Sequence, residues 1–223
     1  MGRLEDVVEF ASNAEPRNAC LLLLDTSGSM GGAPISELNA GLQLLKDDLI
    51  KDSLASKRVE VAIVTFGGSV TLVQDFVTVD KFTPPVLTAS GGTPMGEAVL
   101  VGLQLIKSRK QTYKDNAIVY YRPWIFLITD GSPTDEIAAA ATAVRAEEAM
   151  KGVEFFTVAV GAGGLAAMPV LGSLSVKPPV QLSGLKFSEL FSWLSGSAKR
   201  VSASKPGDQV ALPPPGWLAI TTG

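Results

Sequence analysis

The stretch Ala19-Cys20-Leu21-Leu22-Leu23-Leu24-Asp25-Thr26-Ser27-Gly28-Ser29 decides how this chain is read. Its first six residues form an unbroken apolar run of strand length, the pattern of a strand buried on both faces. The remaining five set a carboxylate and two hydroxyls at alternate positions, Asp25, Ser27 and Ser29, where that strand empties into a loop. Residues spaced by two can converge on one point. A set made only of oxygen suits a hard cation such as Mg²⁺, which takes oxygen ligands in near-octahedral geometry and keeps several waters. Alone, the pentapeptide is also readable as a capping turn, because Asp and Ser accept hydrogen bonds from exposed N–H groups.

Two distant segments repeat the chemistry. Gly91-Gly92-Thr93-Pro94-Met95 reads as a loop, and Ile125-Phe126-Leu127-Ile128-Thr129-Asp130-Gly131 as another strand end. With three separate segments supplying oxygen, the capping turn loses ground to a metal site. At this point the sequence resembles the von Willebrand factor A-type domain. The metal-ion-dependent adhesion site of that family combines D-x-S-x-S, a loop threonine and a distal aspartate, and the matching positions are Asp25, Ser27, Ser29, Thr93 and Asp130. The resemblance implies that Ser27 and Ser29 bind the metal directly and that Thr93 joins in the liganded state. Asp25 and Asp130 would act largely through water. Neutral hydroxyls leave the dication much of its charge, so an open coordination position favours an anionic oxygen, naturally an Asp or Glu of a protein partner. Mn²⁺ or Ca²⁺ could replace Mg²⁺, because hard oxygen sites overlap in preference.

Working outward, apolar runs alternate with amphipathic stretches, which predicts a doubly wound, mostly parallel α/β sheet with helices on both faces. Strands are expected at 19–24, 59–66, 124–129, 153–160 and 179–182. Helices are expected at 35–50, 94–108, 136–150 and 187–198. Leu38, Leu42, Leu45 and Leu49 share one face of the first helix. Gly67-Gly68, standing before the alternating run 70–76, predicts a hairpin and hence one antiparallel edge strand. Pro84-Pro85 continues neither element, and Pro94 fits a first helical turn. The site residues then lie at the carboxyl ends of strands, near the switch point of such a sheet.

Length and composition agree. With 223 residues and 46% hydrophobic content, the chain is expected to form one domain spanning 1–223, with a core of about 17–200. A tail at 201–223 is rich in Pro, Gly and Ser, including Pro213-Pro214-Pro215, and is expected to be extended, with Trp217 and Leu218 as potential anchors. No apolar run approaches the ~20 residues of a membrane span. The start Met1-Gly2-Arg3-Leu4-Glu5-Asp6 has no basic-then-apolar signal region, and Asp6 spoils a myristoylation pattern, so a cytoplasmic location is expected. The net charge of −3 and only short basic clusters argue against nucleic acid as a partner. Oligomeric state stays open.

Chemistry is bounded just as firmly. The chain has no histidine, which removes Ser-His and Cys-His nucleophiles and leaves zinc few soft ligands. Cys20, the single cysteine, reads as a buried apolar residue. Glu97 and Ser132 flank site positions but read as a helix-terminal acid and a turn serine, and Asp75 and Asp80 as surface charges. Gly161-Ala162-Gly163-Gly164-Leu165-Ala166 satisfies G-x-G-x-x-G/A, yet it follows a late strand and no acid lies between Glu154 and Glu189, so a turn is expected there. A Mg²⁺-dependent phosphoesterase or phosphatase is the competing enzymatic reading. It lacks a second carboxylate at position 27 and a phosphate-binding Gly-x-x-x-x-Gly-Lys-Ser/Thr loop. The preferred expectation is a binding module with no enzymatic activity.

Residues 21–34, Gly91-Gly92-Thr93-Pro94-Met95-Gly96, Phe191-Ser192-Trp193-Leu194-Ser195 and Pro206-Gly207-Asp208 further resemble the TerY-type bacterial A domains. That resemblance implies a cytoplasmic scaffold in tellurium resistance and stress response, with protein kinase and phosphatase components as partners. Some relatives carry an added zinc-binding C-terminal domain. One cysteine and no histidine cannot build it here.

Overall fold

The computed structural model describes residues 4–182 and 184–212. In chain order the elements are α1 (Leu4–Ser12), β1 (Asn18–Asp25), α2 (Ala33–Leu49), the short α3 (Ala55–Arg58), β2 (Val59–Gly67), β3 (Ser69–Thr78) and α4 (Met95–Asp115). They continue with β4 (Trp124–Thr129), α5 (Ala138–Ala149), β5 (Glu154–Val160), α6 (Gly161–Leu174), β6 (Val180–Leu182) and α7 (Phe187–Ala203). A single 3₁₀ turn, Gly28–Met30, follows β1.

The six strands form one sheet in the order β3-β2-β1-β4-β5-β6. All pairs are parallel except β2 with β3, which turn back on each other through Gly68 at φ 74°. A positive φ is a conformation glycine adopts without steric cost, which is why the hairpin turns there. β3 is therefore the antiparallel edge strand, and much of it faces solvent. By contrast β1 and β4 are buried along their whole lengths. Strand order reverses between β1 and β4, which makes their carboxyl ends the switch point of the sheet.

Alternate residues of β1 feed two hydrophobic layers. Cys20, Leu22 and Leu24 face a layer that contains Leu38, Leu42, Leu45 and Leu49 of α2 and Phe187, Phe191 and Leu194 of α7. Ala19, Leu21 and Leu23 face the layer of α4, α5 and α6, with Val99, Ile106, Val144 and Leu171. A Cβ added at Gly41 of α2 would lie 2.3 Å from the Phe191 ring, so α2 and α7 touch across a position that admits no side chain. Burial pushes the Cys20 thiol up to about 12, as expected of an inert core residue.

Several expectations are corrected. The glycine-rich segment after β5 is no free turn but the first turn of α6. Gly161 has φ +62° and makes the abrupt change of direction, while Gly163 and Gly164 bring the helix onto backbone: added Cβ atoms would stand 2.2 Å from Asp130 O and 3.0 Å from Thr129 O. The helix expected at 94–108 runs on to Asp115 and the one at 187–198 to Ala203. Neither α1 nor α3 is anticipated from the sequence. Of the tail, Val210 and Leu212 pack against the core. Pro213-Pro214-Pro215, Trp217 and Leu218 lie outside the described residues.

Candidate functional site

Parallel register sets the first contact. β1 pairs with β4 so that Leu24 sits beside Ile128, which puts Asp25 and Thr129 next to each other at the strand ends. Thr129 Oγ1 donates to Asp25 Oδ2 at 2.5 Å, and the other carboxylate oxygen, Oδ1, accepts the Ser27 N–H at 2.7 Å. This second bond closes an Asx turn that bends the chain out of β1. The Ser27 and Ser29 hydroxyls are 3.1 Å apart, and Ser29 Oγ donates to Asp130 Oδ1 at 2.6 Å. Four of the five expected residues thus form one hydrogen-bonded cluster across the switch point.

Thr93 arrives differently. It is buried, and its hydroxyl makes no hydrogen bond to the other four among the described residues. Its loop is held by backbone instead: Gly28 N donates to Gly91 O at 2.9 Å, Ser90 N to Thr26 O at 2.7 Å and Gly68 N to Gly92 O at 2.8 Å. Gly91, at φ +74°, lies so close to Gly68 that an added Cβ would be 2.5 Å from its Cα. On the far side Thr93 N donates to Thr134 Oγ1 at 3.1 Å, and Thr134 N returns a bond to Thr93 O at 2.9 Å.

Sequence reading passes over Thr129 and Thr134. Thr129 is fully buried and takes the Gly131 N–H at 3.1 Å while bonding Asp25, so it braces both aspartate-bearing turns. The available signal is its place immediately before Asp130 at the end of a strand, but the strand partner that gives it a role is a matter of register. Glu97 and Ser132 are exposed, as are Asp75 and Asp80.

The electrostatics favour a cation. Asp25 is fully buried. Its carboxyl is raised above the ordinary range chiefly by burial, with hydrogen bonds from Ser27 and Thr129 pulling the other way and the charge of Asp130 adding to the rise. Among the described residues no lysine or arginine forms an ion pair with Asp25 or Asp130. Nor do the described residues contain a group of three His, Cys, Asp or Glu able to hold a metal. The donors at hand are two carboxylates and three hydroxyls, a hard set poor in charge. Such a set fits an oxygen-seeking dication, which would supply the positive charge that the buried carboxylate lacks.

A family profile described as "von Willebrand factor type A domain" matches residues 21–180. No curated protein sequence matches the chain. Among solved structures, the pilus adhesin SpaC of Lactobacillus rhamnosus GG superposes with a TM-score of 0.64 at 12% identity, over 85% of this chain and 31% of that one. The PilB minor pilin of Streptococcus sanguinis gives 0.59 at 16% identity, over 86% and 64%. Proximal thread matrix protein 1 from the mussel byssus, in a structure with a zinc-occupied MIDAS motif, gives 0.53 at 16% identity, over 85% and 47%. The chain thus spans between about a third and two thirds of these proteins, and at such identities the likeness is one of fold.

Proposed function

The chain belongs to the von Willebrand factor type A domain family, and on that premise we propose that it is a metal-dependent protein-binding module. In this reading Asp25, Ser27, Ser29, Thr93 and Asp130 hold a divalent cation whose open position takes a carboxylate from a partner's Asp or Glu. The observation that carries it is the cluster joining Asp25, Ser27, Ser29 and Asp130 across the switch point, with no paired basic residue among the described residues. When bound, the cation supplies a Lewis-acidic point for an anionic oxygen. The chain's own residues do the rest: Thr129 and the Ser27 N–H orient Asp25, and Ser29 fixes Asp130. No bond is broken, and residues 17–200 act as one unit.

Mg²⁺ is the cation proposed, with Mn²⁺ and Ca²⁺ as alternatives. Zinc joins the comparison because a zinc-occupied MIDAS is seen in the mussel protein. The finer placement, in a cytoplasmic tellurite- or phosphorylation-linked pathway of the TerY type, is supported by sequence stretches alone. Among the described residues no helix is long and apolar enough to cross a membrane.

Calorimetry with each of the four metals tests the reading. The native chain is expected to bind, and the Ser27→Ala/Ser29→Ala pair and Asp130→Ala are expected to bind at least tenfold more weakly while keeping native circular dichroism, since removing even a group that only orients a ligand costs about 10–100-fold in metal affinity. Full binding by folded variants would refute the assignment. A Mg²⁺-supplemented phosphoester panel is expected to release no phosphate, and release abolished by the same substitutions would favour the enzymatic reading instead.

A further inference from the structure

Helix α4 starts at Met95, two residues after Thr93, and of its first three N–H groups only that of Met95 is met from its own segment, donating to Thr93 O at 2.8 Å. Pro94 stands at the cap position and makes no side-chain bond to the helix. The next two N–H groups are satisfied from across the site: Gly96 N donates to Asp135 Oδ1 at 3.0 Å and Glu97 N to Asp135 Oδ2 at 2.8 Å. One residue earlier Thr134 exchanges two bonds with Thr93, through its hydroxyl and its backbone N–H. The fit is close, since a Cβ at Gly96 would meet Glu136 O at 2.4 Å and Asp135 Oδ2 at 3.1 Å, and one at Gly92 would meet Thr134 Oγ1 at 3.3 Å.

Thr134 and Asp135 belong to the loop that carries Asp130. They therefore lock two oxygen donors from different segments, Thr93 and Asp130, into one frame. A carboxylate accepting two N–H groups at a helix start is a charge-assisted cap, among the stronger local hydrogen-bond arrangements available. We infer that Asp135, assisted by Thr134, is a positioning residue for the metal site: it sets the place of the Thr93 hydroxyl relative to Asp130 without itself touching the cation. This rests on the metal-binding reading above.

Mn²⁺ titration of Asp135→Ala, Thr134→Val, Thr93→Val and the Thr93→Val/Asp135→Ala double variant tests it, with amide exchange at Gly96 and Glu97 followed in parallel. Asp135→Ala is expected to weaken Mn²⁺ by about tenfold, the scale of losses when groups orienting a ligand are removed. Because Asp135 would act only through Thr93, the double variant should bind no more weakly than Thr93→Val alone. Asp135→Asn, which keeps one acceptor oxygen, should recover part of the affinity. Faster exchange at Gly96 and Glu97 in Asp135→Ala should accompany the loss. Additive losses in the double variant would mean general destabilisation and would overturn the inference, as would native affinity in Asp135→Ala while Thr93→Val is impaired. If Asp135→Ala does not fold, Thr134→Val carries the same comparison. Failure of the native chain to bind Mn²⁺ would overturn the metal-site reading and the clamp together, whereas failure of the clamp alone leaves Thr93→Val impaired.

Discussion

Glu60 is fully buried and accepts hydrogen bonds from three side chains: Arg17 Nε at 3.0 Å, Arg109 Nε at 2.8 Å and the Tyr113 hydroxyl. Arg17 and Arg109 also stack over the Phe10 ring, each 5.2 Å from its centroid. Removing one member of a buried ionic network leaves the others charged and unpaired, which costs about 3–5 kcal/mol. Glu60→Gln should therefore lower stability by about that amount, read from the shift in denaturant midpoint. Mn²⁺ affinity measured below the transition should not change. Glu60 lies beside Ala19, whereas Phe66 lies beside Asp25, so roughly 20 Å of strand separates the network from the site. A weakened metal affinity would show that the two ends of the sheet are coupled. Nothing in the sequence marks Glu60 out, since an acid inside an apolar run acquires partners only when α4 and the turn before β1 close over it. Asp25 is the opposite case: its spacing to Ser27 and Ser29 is local and can be read directly.

Helix α1 docks on this network by Phe10, which meets the Tyr113 ring edge-on at 6.0 Å. Glu9 enters with it, 3.8 Å from Arg109 Nη2, while its Oε1 is buried without a hydrogen-bond partner among the described residues. Burial and then the charge of Glu60 raise the Glu9 carboxyl above its ordinary 4.5, against the opposing pull of Arg109, Lys81 and Arg17. A carboxyl raised on folding binds its proton more tightly in the folded state. Its penalty is thus absent well below the unfolded value and grows as pH rises through and beyond it. Docking of α1 should weaken from pH 4 toward neutrality, and Glu9→Gln should flatten that dependence, as followed by amide exchange over 8–12 between pH 4 and 7. An unchanged slope in Glu9→Gln would assign the dependence to another group. At this scale the long, strongly patterned elements were legible: β4 matches the expected 124–129, and the α2 leucines face the core as their spacing requires. The helix at Gly161 was not legible. Glycines signal turns locally, but here they permit contact with the backbone of Thr129 and Asp130 from another strand.

The whole molecule places every candidate oxygen donor at one end of one sheet, so a cation bound as proposed would link β1, β4 and the loop before α4. A ligand that binds only the folded state stabilises it by about 2.7 kcal/mol at one hundred times its dissociation constant. For a chain of this size that predicts a melting shift of roughly 5–10 °C with saturating Mn²⁺, reversed by EDTA. The Ser27→Ala/Ser29→Ala pair should show little shift, and an equal shift there would put the cation elsewhere. The sequence alone determined the α/β class, the antiparallel edge strand and the identity of five candidate donors, because hydrophobic periodicity, turn glycines and ligand spacing are local properties of the chain. Only the tertiary structure decided that Thr129 braces Asp25, that Thr134 holds Thr93 while Asp135 caps the first turn of α4, and that Glu60 is caged at the far end. Each of those contacts joins residues about forty to a hundred positions apart. Strand register and helix packing, which no local pattern encodes, bring them within hydrogen-bond reach.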